Sequence, residues 1–191
     1  MVALIILLAL GITGAFANRP RVVFAGSSTI SGWSTLARDF PEYEVVNAGV
    51  GGTQIADTLA SADEAIVTKN PSIVVLYIGD NDLWAGKNAP AVFADAKELL
   101  DHLHAKLPSA KIVCVSVKPS PSRSAVKNRI EFFNELLRAE CASREYLRFA
   151  GVYSLLLDAS GKPDAKFFAP DMLHFNEAGY ALLRDATVVH F

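Results

Sequence analysis

Two cysteines in 191 residues are too few for a disulfide framework, so a small fold stapled by several bridges is excluded. Charge of one sign is missing as well: 18 Lys and Arg against 20 Asp and Glu leave a formal net charge of −2, interspersed along the chain. No basic patch follows from that balance, and nucleic acid is not expected as a partner. The arginine-rich stretch from Arg123 to Arg148 mixes both signs and reads as the solvated face of a helix. Internal repeats, low-complexity tracts and Pro/Gly linkers are absent, so nothing divides the chain and one domain is expected. With 51% hydrophobic and 20% charged residues, that domain can bury a core.

Residues 1–17 lack charged side chains altogether. The apolar run Val2 to Leu10 and the small-x-small ending Ala15-Phe16-Ala17 read as a secretory signal, with residues 18–191 as the mature domain in the periplasm or outside the cell. No Lys or Arg precedes the run. The alternatives are an uncleaved anchor touching the membrane through residues 2–17, or an apolar helix packed on the domain or a partner chain. The run is shorter than the roughly 20 residues that span a bilayer, and it is followed by Gly11, Thr13 and Gly14, which favours export. Export would permit one bridge between Cys114 and Cys141, although buried free thiols are the commoner state for such positions. Oligomeric state is left open.

In the remainder, short apolar runs alternate with helical patterns. Arg21 to Ala25, Glu44 to Asn47, Ile73 to Ile78, Ile112 to Val117 and Tyr146 to Ala150 read as strands buried on both faces. Between them, Val92, Phe93, Ala96, Leu99, Leu100, Leu103 and Leu107 recur at helical spacing, bounded by Pro90 and Pro108, and Val126 to Cys141 repeats the pattern. A last helix runs from Asn176, a candidate N-cap, to Val189. This alternation predicts an α/β domain with a parallel five-stranded sheet between two helical layers, a three-layer α/β/α arrangement.

In such sheets the ligand lies beyond the carboxyl ends of the strands. Four suggestive segments fall there: Gly26-Ser27-Ser28, Asn47 to Gly52, Gly79-Asp80-Asn81-Asp82, and Asp171-Met172-Leu173-His174 ahead of the last helix. Each has a bland alternative. Gly-Ser-Ser caps helices, Asp80-Asn81-Asp82 makes Asx turns, and Asp-x-x-His occurs by chance as a surface hydrogen bond. The glycines at 49, 51 and 52 do not have dinucleotide-loop spacing and are better read as backbone access for an amide donor near Gly52. Together, a serine, an imidazole and a carboxylate on one rim are what nucleophilic catalysis requires. His102 and His104 point apart on one helix, read as solvent-exposed, and no metal or other cofactor is expected.

This ordered set of segments resembles the four blocks of the SGNH hydrolases, also called GDSL-type esterases, over residues 21 to 187. Val23 to Ser28, Tyr77 to Asp82, Lys118-Pro119-Ser120-Pro121-Ser122-Arg123 and Leu173 to Tyr180 look like the bacterial lipolytic branch. The resemblance implies a flavodoxin-like sheet, a nucleophile at Ser28, an oxyanion hole from Ser28, Gly52 and Asn81, and a base at His174 oriented by Asp171. One departure is Ser27, where the family's Gly-Asp-Ser has Asp; it bears on how the nucleophile loop is supported.

The expected activity is hydrolysis of small-molecule carboxylic esters with short acyl groups such as acetyl, since short loops leave little room for a lid. Ile30, Val50, Leu83, Trp84 and Phe175 are candidate substrate-binding residues, against the alternative that several are core. Trp33 is expected to pack the first helix. An acyltransferase, a lysophospholipase or a thioesterase would use the same site, and a non-catalytic binding module is the rival of a different class.

Overall fold

The computed structural model describes residues 19–191. The apolar segment 1–17, on which the export and anchor expectations rest, lies outside the described residues. Among the described residues, no helix is long and apolar enough to cross a membrane.

Five strands form one all-parallel sheet in the order β2-β1-β3-β4-β5: β1 Arg21–Gly26, β2 Glu44–Gly49, β3 Ile73–Tyr77, β4 Lys111–Val115 and β5 Leu147–Ala150. The three central strands are β-branched and aromatic runs, as strands covered on both faces require. The two edges depart from expectation. β2 is only half-buried along its length and β5 exposes Arg148, because an edge strand has one neighbour and incomplete helical cover.

Alternation along the strands sends side chains into two cores. Val23, Ala25, Val74, Leu76, Ile112 and Cys114 face α3 (Ile55–Ala65), α5 (Ala89–Lys106) and α6 (Lys127–Ser143). Val22, Phe24, Val75, Tyr77, Val113 and Val115 face the opposite layer, built from α1 (Ser28–Ser31), α2 (Leu36–Asp39) and α7 (Glu177–Val188). Asn88 caps α5 by accepting from Ala91 N–H at 2.9 Å, with Pro90 in its first turn. Asn176 caps α7 by accepting from Gly179 N–H at 3.1 Å. Trp33 packs as expected: it is buried between Phe24 and Tyr180, and its indole N–H donates to Asp39 at 2.7 Å.

Cys114 and Cys141 are buried free thiols on β4 and α6; a hydrogen bond from Cys141, followed by burial, pushes the Cys114 thiol well above its ordinary range. The two helical histidines are half-buried rather than fully exposed. His102 Nε2 lies 2.7 Å from Asp63, and His104 stacks flat on Tyr146 at 3.6 Å, so both rings tie α5 to its neighbours.

The register decides where chemistry can occur. Gly26 lies level with Gly49 on one side and Tyr77 on the other, so the chain leaves all three strands at the same height. Phe24 anchors this region from below, packed on Trp33, Phe40 and Phe191. Phe24→Ala should cost about 3–5 kcal/mol of stability through lost contact and the cavity left behind. Urea denaturation checks this; a change under about 1 kcal/mol would mean the aromatic cluster is not packed as described.

Candidate active site

Gly26 ends β1 with φ +135°, and a Cβ there would sit 2.0 Å from the Tyr77 carbonyl oxygen. Only glycine lets the end of β1 run this close to β3 in that conformation. The chain then turns straight into α1: Ser27 is the extended N-cap, its carbonyl accepting from Ile30 and Ser31 N–H, and Ser28 is the first helical residue. Backbone bonds thus carry the loop at the position where Ser27 stands in place of Asp. Ser28 is half-buried at the rim.

From 146 residues away in sequence, His174 brings Nε2 to 2.9 Å from Ser28 Oγ. Its other nitrogen, Nδ1, lies 2.5 Å from Asp171 Oδ2. Asp171 Oδ1 accepts the backbone N–H of both Leu173 and His174 at 3.0 Å, which folds the four-residue stretch onto its own carboxylate. Met172 takes φ +56° at the turn, and its carbonyl accepts from Ser122 N–H at 3.1 Å. The hydrogen bond from the His174 ring, with the two backbone bonds behind it, holds the Asp171 carboxyl well below the usual carboxylate range. An ionised carboxylate can only accept, so a ring proton sits on Nδ1; in the neutral form of the ring, Nε2 is then free to accept from the Ser28 hydroxyl.

The third block is not a loop. Gly79, at φ +93°, turns the chain into α4 (Asp80–Trp84), so Asp80, Asn81 and Asp82 form a helical first turn. Asn81 Nδ2 donates to the Thr53 carbonyl at 2.9 Å. Fully buried Asp82 accepts from Ile55 N–H at 3.2 Å and from Lys87 Nζ at 3.1 Å. These bonds pin the glycine segment after β2 against α4. A Cβ on Gly51 would lie 3.9 Å from the Cβ of Ser28, so this segment passes beside the serine. Among the described residues, the N–H groups of Ser28, Gly51 and Gly52 have no hydrogen-bond partner.

Residues 14–182 match the model of the GDSL-like lipase/acylhydrolase family. The chain belongs to that family. It is a carboxylic ester hydrolase of the GDSL, or SGNH, type. Solved structures similar to it include a GDSL-like lipase from Bacteroides thetaiotaomicron, with TM-score 0.73, 22% identity, and coverage of 88% of this chain and 85% of that one. A family 3 carbohydrate esterase from Clostridium thermocellum has TM-score 0.71 and 18% identity, covering 87% and 92%. A catalytic mutant of an acetylxylan esterase from Geobacillus stearothermophilus has TM-score 0.72 and 15% identity, covering 90% and 93%. At such identities these likenesses show the three-layer fold. No curated protein matches the chain in sequence.

Of the five residues expected to line the substrate site of this GDSL-type hydrolase, three are corrected. Ile30 and Leu83 are fully buried, pointing into the two cores. Phe175 is 5% exposed and packs on Phe168 and Tyr180. Each directly follows or closely adjoins a site residue, but helical turns and the Phe168–Phe175 bridge rotate it inward. Val50 and Trp84 are exposed on the rim.

Arg123 is also corrected. It is not on a solvated helix face but buried in a 3-10 turn, Pro121–Val126, where it donates to Asp80 and Asn81. Lys118, almost fully buried, donates to the other Asp80 oxygen at 2.8 Å. Burial pushes the Asp80 carboxyl upward, but the attraction of Lys118 and Arg123, with hydrogen bonds from Lys118 and Tyr77, outweighs it and holds the group below its ordinary value. Burial draws Lys118 downward against the opposing pull of Asp80. The signal for these residues was Lys118-Pro119-Ser120-Pro121-Ser122-Arg123 itself, a fifth segment on the same rim, directly after β4.

Gly26→Ala forces a Cβ onto the Tyr77 carbonyl, and such overpacking costs about 1–3 kcal/mol. Because Ser28 follows two residues later, kcat should fall as well. Denaturation and ester kinetics on the same preparation check both; an unchanged kcat would mean the turn does not set the serine's position.

Proposed function

We propose that this hydrolase cleaves small soluble carboxylic esters, acetyl esters foremost, through a Ser28 acyl-enzyme. The observation that carries the reading is the 2.9 Å approach of Ser28 Oγ to His174 Nε2, with Asp171 on the far side of the ring. A neutral serine is a weak nucleophile, and a ring nitrogen already accepting from its hydroxyl is the base it needs. As Oγ attacks the ester carbonyl carbon, its proton passes to Nε2 and Asp171 steadies the resulting imidazolium. The carbonyl oxygen, now negative, accepts from the N–H groups of Ser28 and Gly52 and from the Asn81 NH2. His174 then returns the proton to the departing alcohol. Water, deprotonated by the same nitrogen, releases the acid and regenerates Ser28.

The short acyl group is argued from exposure. His174 and Asp171 side chains are 38% and 49% exposed, and with Ile30, Leu83 and Phe175 turned inward, only Val50 and Trp84 of the expected lining meet the substrate. A shallow rim of that kind offers a long chain little apolar surface. The fold-level likeness to an acetylxylan esterase and a carbohydrate esterase agrees with acetyl groups on a polar alcohol. Residues 1–17 are proposed to direct export, which the N-terminal mass of the protein from its native host tests; a chain starting at Met1 would oppose it.

Ser28→Ala and His174→Ala should each remove nearly all turnover of para-nitrophenyl acetate while far-ultraviolet circular dichroism stays the same. Full activity in purified Ser28→Ala protein would end the assignment. Replacing Asn81 by Ala should lower kcat by about 100-fold or more with KM little changed, since a donor to the oxyanion acts mainly in the transition state. A change confined to KM would contradict that role. Across para-nitrophenyl esters of rising chain length, kcat/KM should be highest for acetate; a maximum at eight carbons or more would refute the acyl preference.

A further inference from the structure

The reaction steps above leave one buried polar cluster unused. It begins beside the nucleophile, where Lys118 Nζ donates to Thr29 Oγ1 and to the Tyr77 hydroxyl oxygen at 3.0 Å, and to Asp80 Oδ2 at 2.8 Å. The Tyr77 hydroxyl donates in turn to Asp80 Oδ2 at 2.8 Å. Arg123 Nη1 donates to Asp80 Oδ1 at 2.6 Å, and Arg123 Nη2 donates to Asn81 Oδ1 at 2.9 Å. A continuous buried chain therefore joins the residue after Ser28 to Asn81. Removing charges from water is costly, and apolar side chains of similar volume would often serve stability as well or better. Within the cluster, one carboxylate faces two cations, Asp80 lying between Lys118 and Arg123.

The geometry at Asn81 gives the cluster a specific task. A primary amide has two ends of nearly equal shape, and turning it over exchanges donor for acceptor. Arg123 offers only donors and the Thr53 carbonyl only accepts, so the amide is satisfied one way: Oδ1 on the guanidinium and Nδ2 on the carbonyl, at 2.9 Å each. In that orientation one Nδ2–H is used by Thr53 and the second is left for the substrate oxygen. A cation bonded to Oδ1 also polarises the amide and strengthens its N–H as a donor.

We propose that Arg123 is a positioning residue for ester hydrolysis: clamped by Asp80 and Lys118, its guanidinium holds the Asn81 amide with NH2 toward the oxyanion and places positive charge behind it. The inference rests on Asn81 being an oxyanion donor. It is specific to arginine, because only a planar fork reaches two acceptors in fixed geometry, whereas a lysine at 123 supplies charge from a single point. The same short segment also engages the base, since Ser122 N–H holds the Met172 carbonyl within the Asp171 to His174 turn.

The test is a double-mutant cycle on para-nitrophenyl acetate, with affinity for a trifluoromethyl ketone as a second readout because the hemiketal that its carbonyl carbon forms with Ser28 Oγ, the serine proton passing to His174, mimics the tetrahedral oxyanion. Arg123→Lys should lower kcat by about 10- to 100-fold with KM little changed, the size expected when a catalytic donor is misplaced by about 1 Å. It should weaken trifluoromethyl ketone binding by a similar factor. In an Asn81→Ala background the same substitution should cost at most about 2-fold. Equal losses in both backgrounds, a change confined to KM, or full activity in Arg123→Lys would each overturn the inference. If Arg123→Lys fails to fold, Arg123→Gln, whose neutral carboxamide lacks the charge and the guanidinium fork, runs the same cycle with the same expected non-additivity. An Asn81→Ala protein with unchanged kcat would overturn this inference and the oxyanion assignment together, whereas a large Asn81→Ala loss with additive Arg123 effects would overturn this inference alone.

Discussion

The contact between Ser28 Oγ and His174 Nε2 is the constraint on which the rest of the molecule turns. It joins the carboxyl end of β1 to the turn before α7, two points brought within 3 Å where α1 and α7 pack on the same face of the sheet. The opposite helical layer, with Trp33, Phe40 and Tyr180 packed around Phe24, sets the height at which α1 and α7 meet the rim. The apolar core therefore works as a ruler. Burial is nondirectional, but it fixes where the strands end, and the hydrogen bond reads out that position.

Around that contact, polar groups are tied in pairs that cross between loops. Asn81 holds Thr53, Asp82 holds Ile55, and Met172 is held from Ser122. Each bond links a segment leaving one strand to a segment leaving another, so the rim behaves as one body rather than four flexible loops. Asp171 does the same locally, taking two backbone N–H groups with one oxygen and the imidazole with the other. A half-exposed imidazole held in this way keeps a fixed orientation in a site that is open to solvent. The buried Asp80–Lys118–Arg123 cluster lies beneath, where low dielectric lends its fixed charges more influence than surface ions have.

How much of this was legible in the residues varied with the range of the interaction. β1, β3 and β4 were legible because strands covered on both faces are continuous apolar runs, as in Val22-Val23-Phe24-Ala25 and Ile73-Val74-Val75-Leu76-Tyr77. Asn88 and Asn176 as caps, and Asp171 beside His174, depend on neighbours within one turn and could be read in place. Ile30, Leu83 and Phe175 were misread for the opposite reason. Adjacency to Ser28, Asp82 or His174 says nothing about which way a helical turn or a bridge points the next side chain, and each points into a core. Arg123 failed more instructively, since composition marks arginine as a surface residue, and only the arrival of Asp80 and Asn81 from 43 and 42 residues away makes its burial tolerable.

Local chemistry in the chain determined the alternation of strands and helices, the parallel sheet, the membership of the four rim segments and the pairing of Asp171 with His174, because each follows from patterns spanning a turn or a strand. Tertiary structure alone decided that Ser28 meets His174, that the glycine segment lies beside the serine, and that a lysine and an arginine are buried against Asp80. Those facts depend on strand order and on the level at which the strands end. Burial of two apolar faces at once fixes both, and no stretch of residues carries that information by itself.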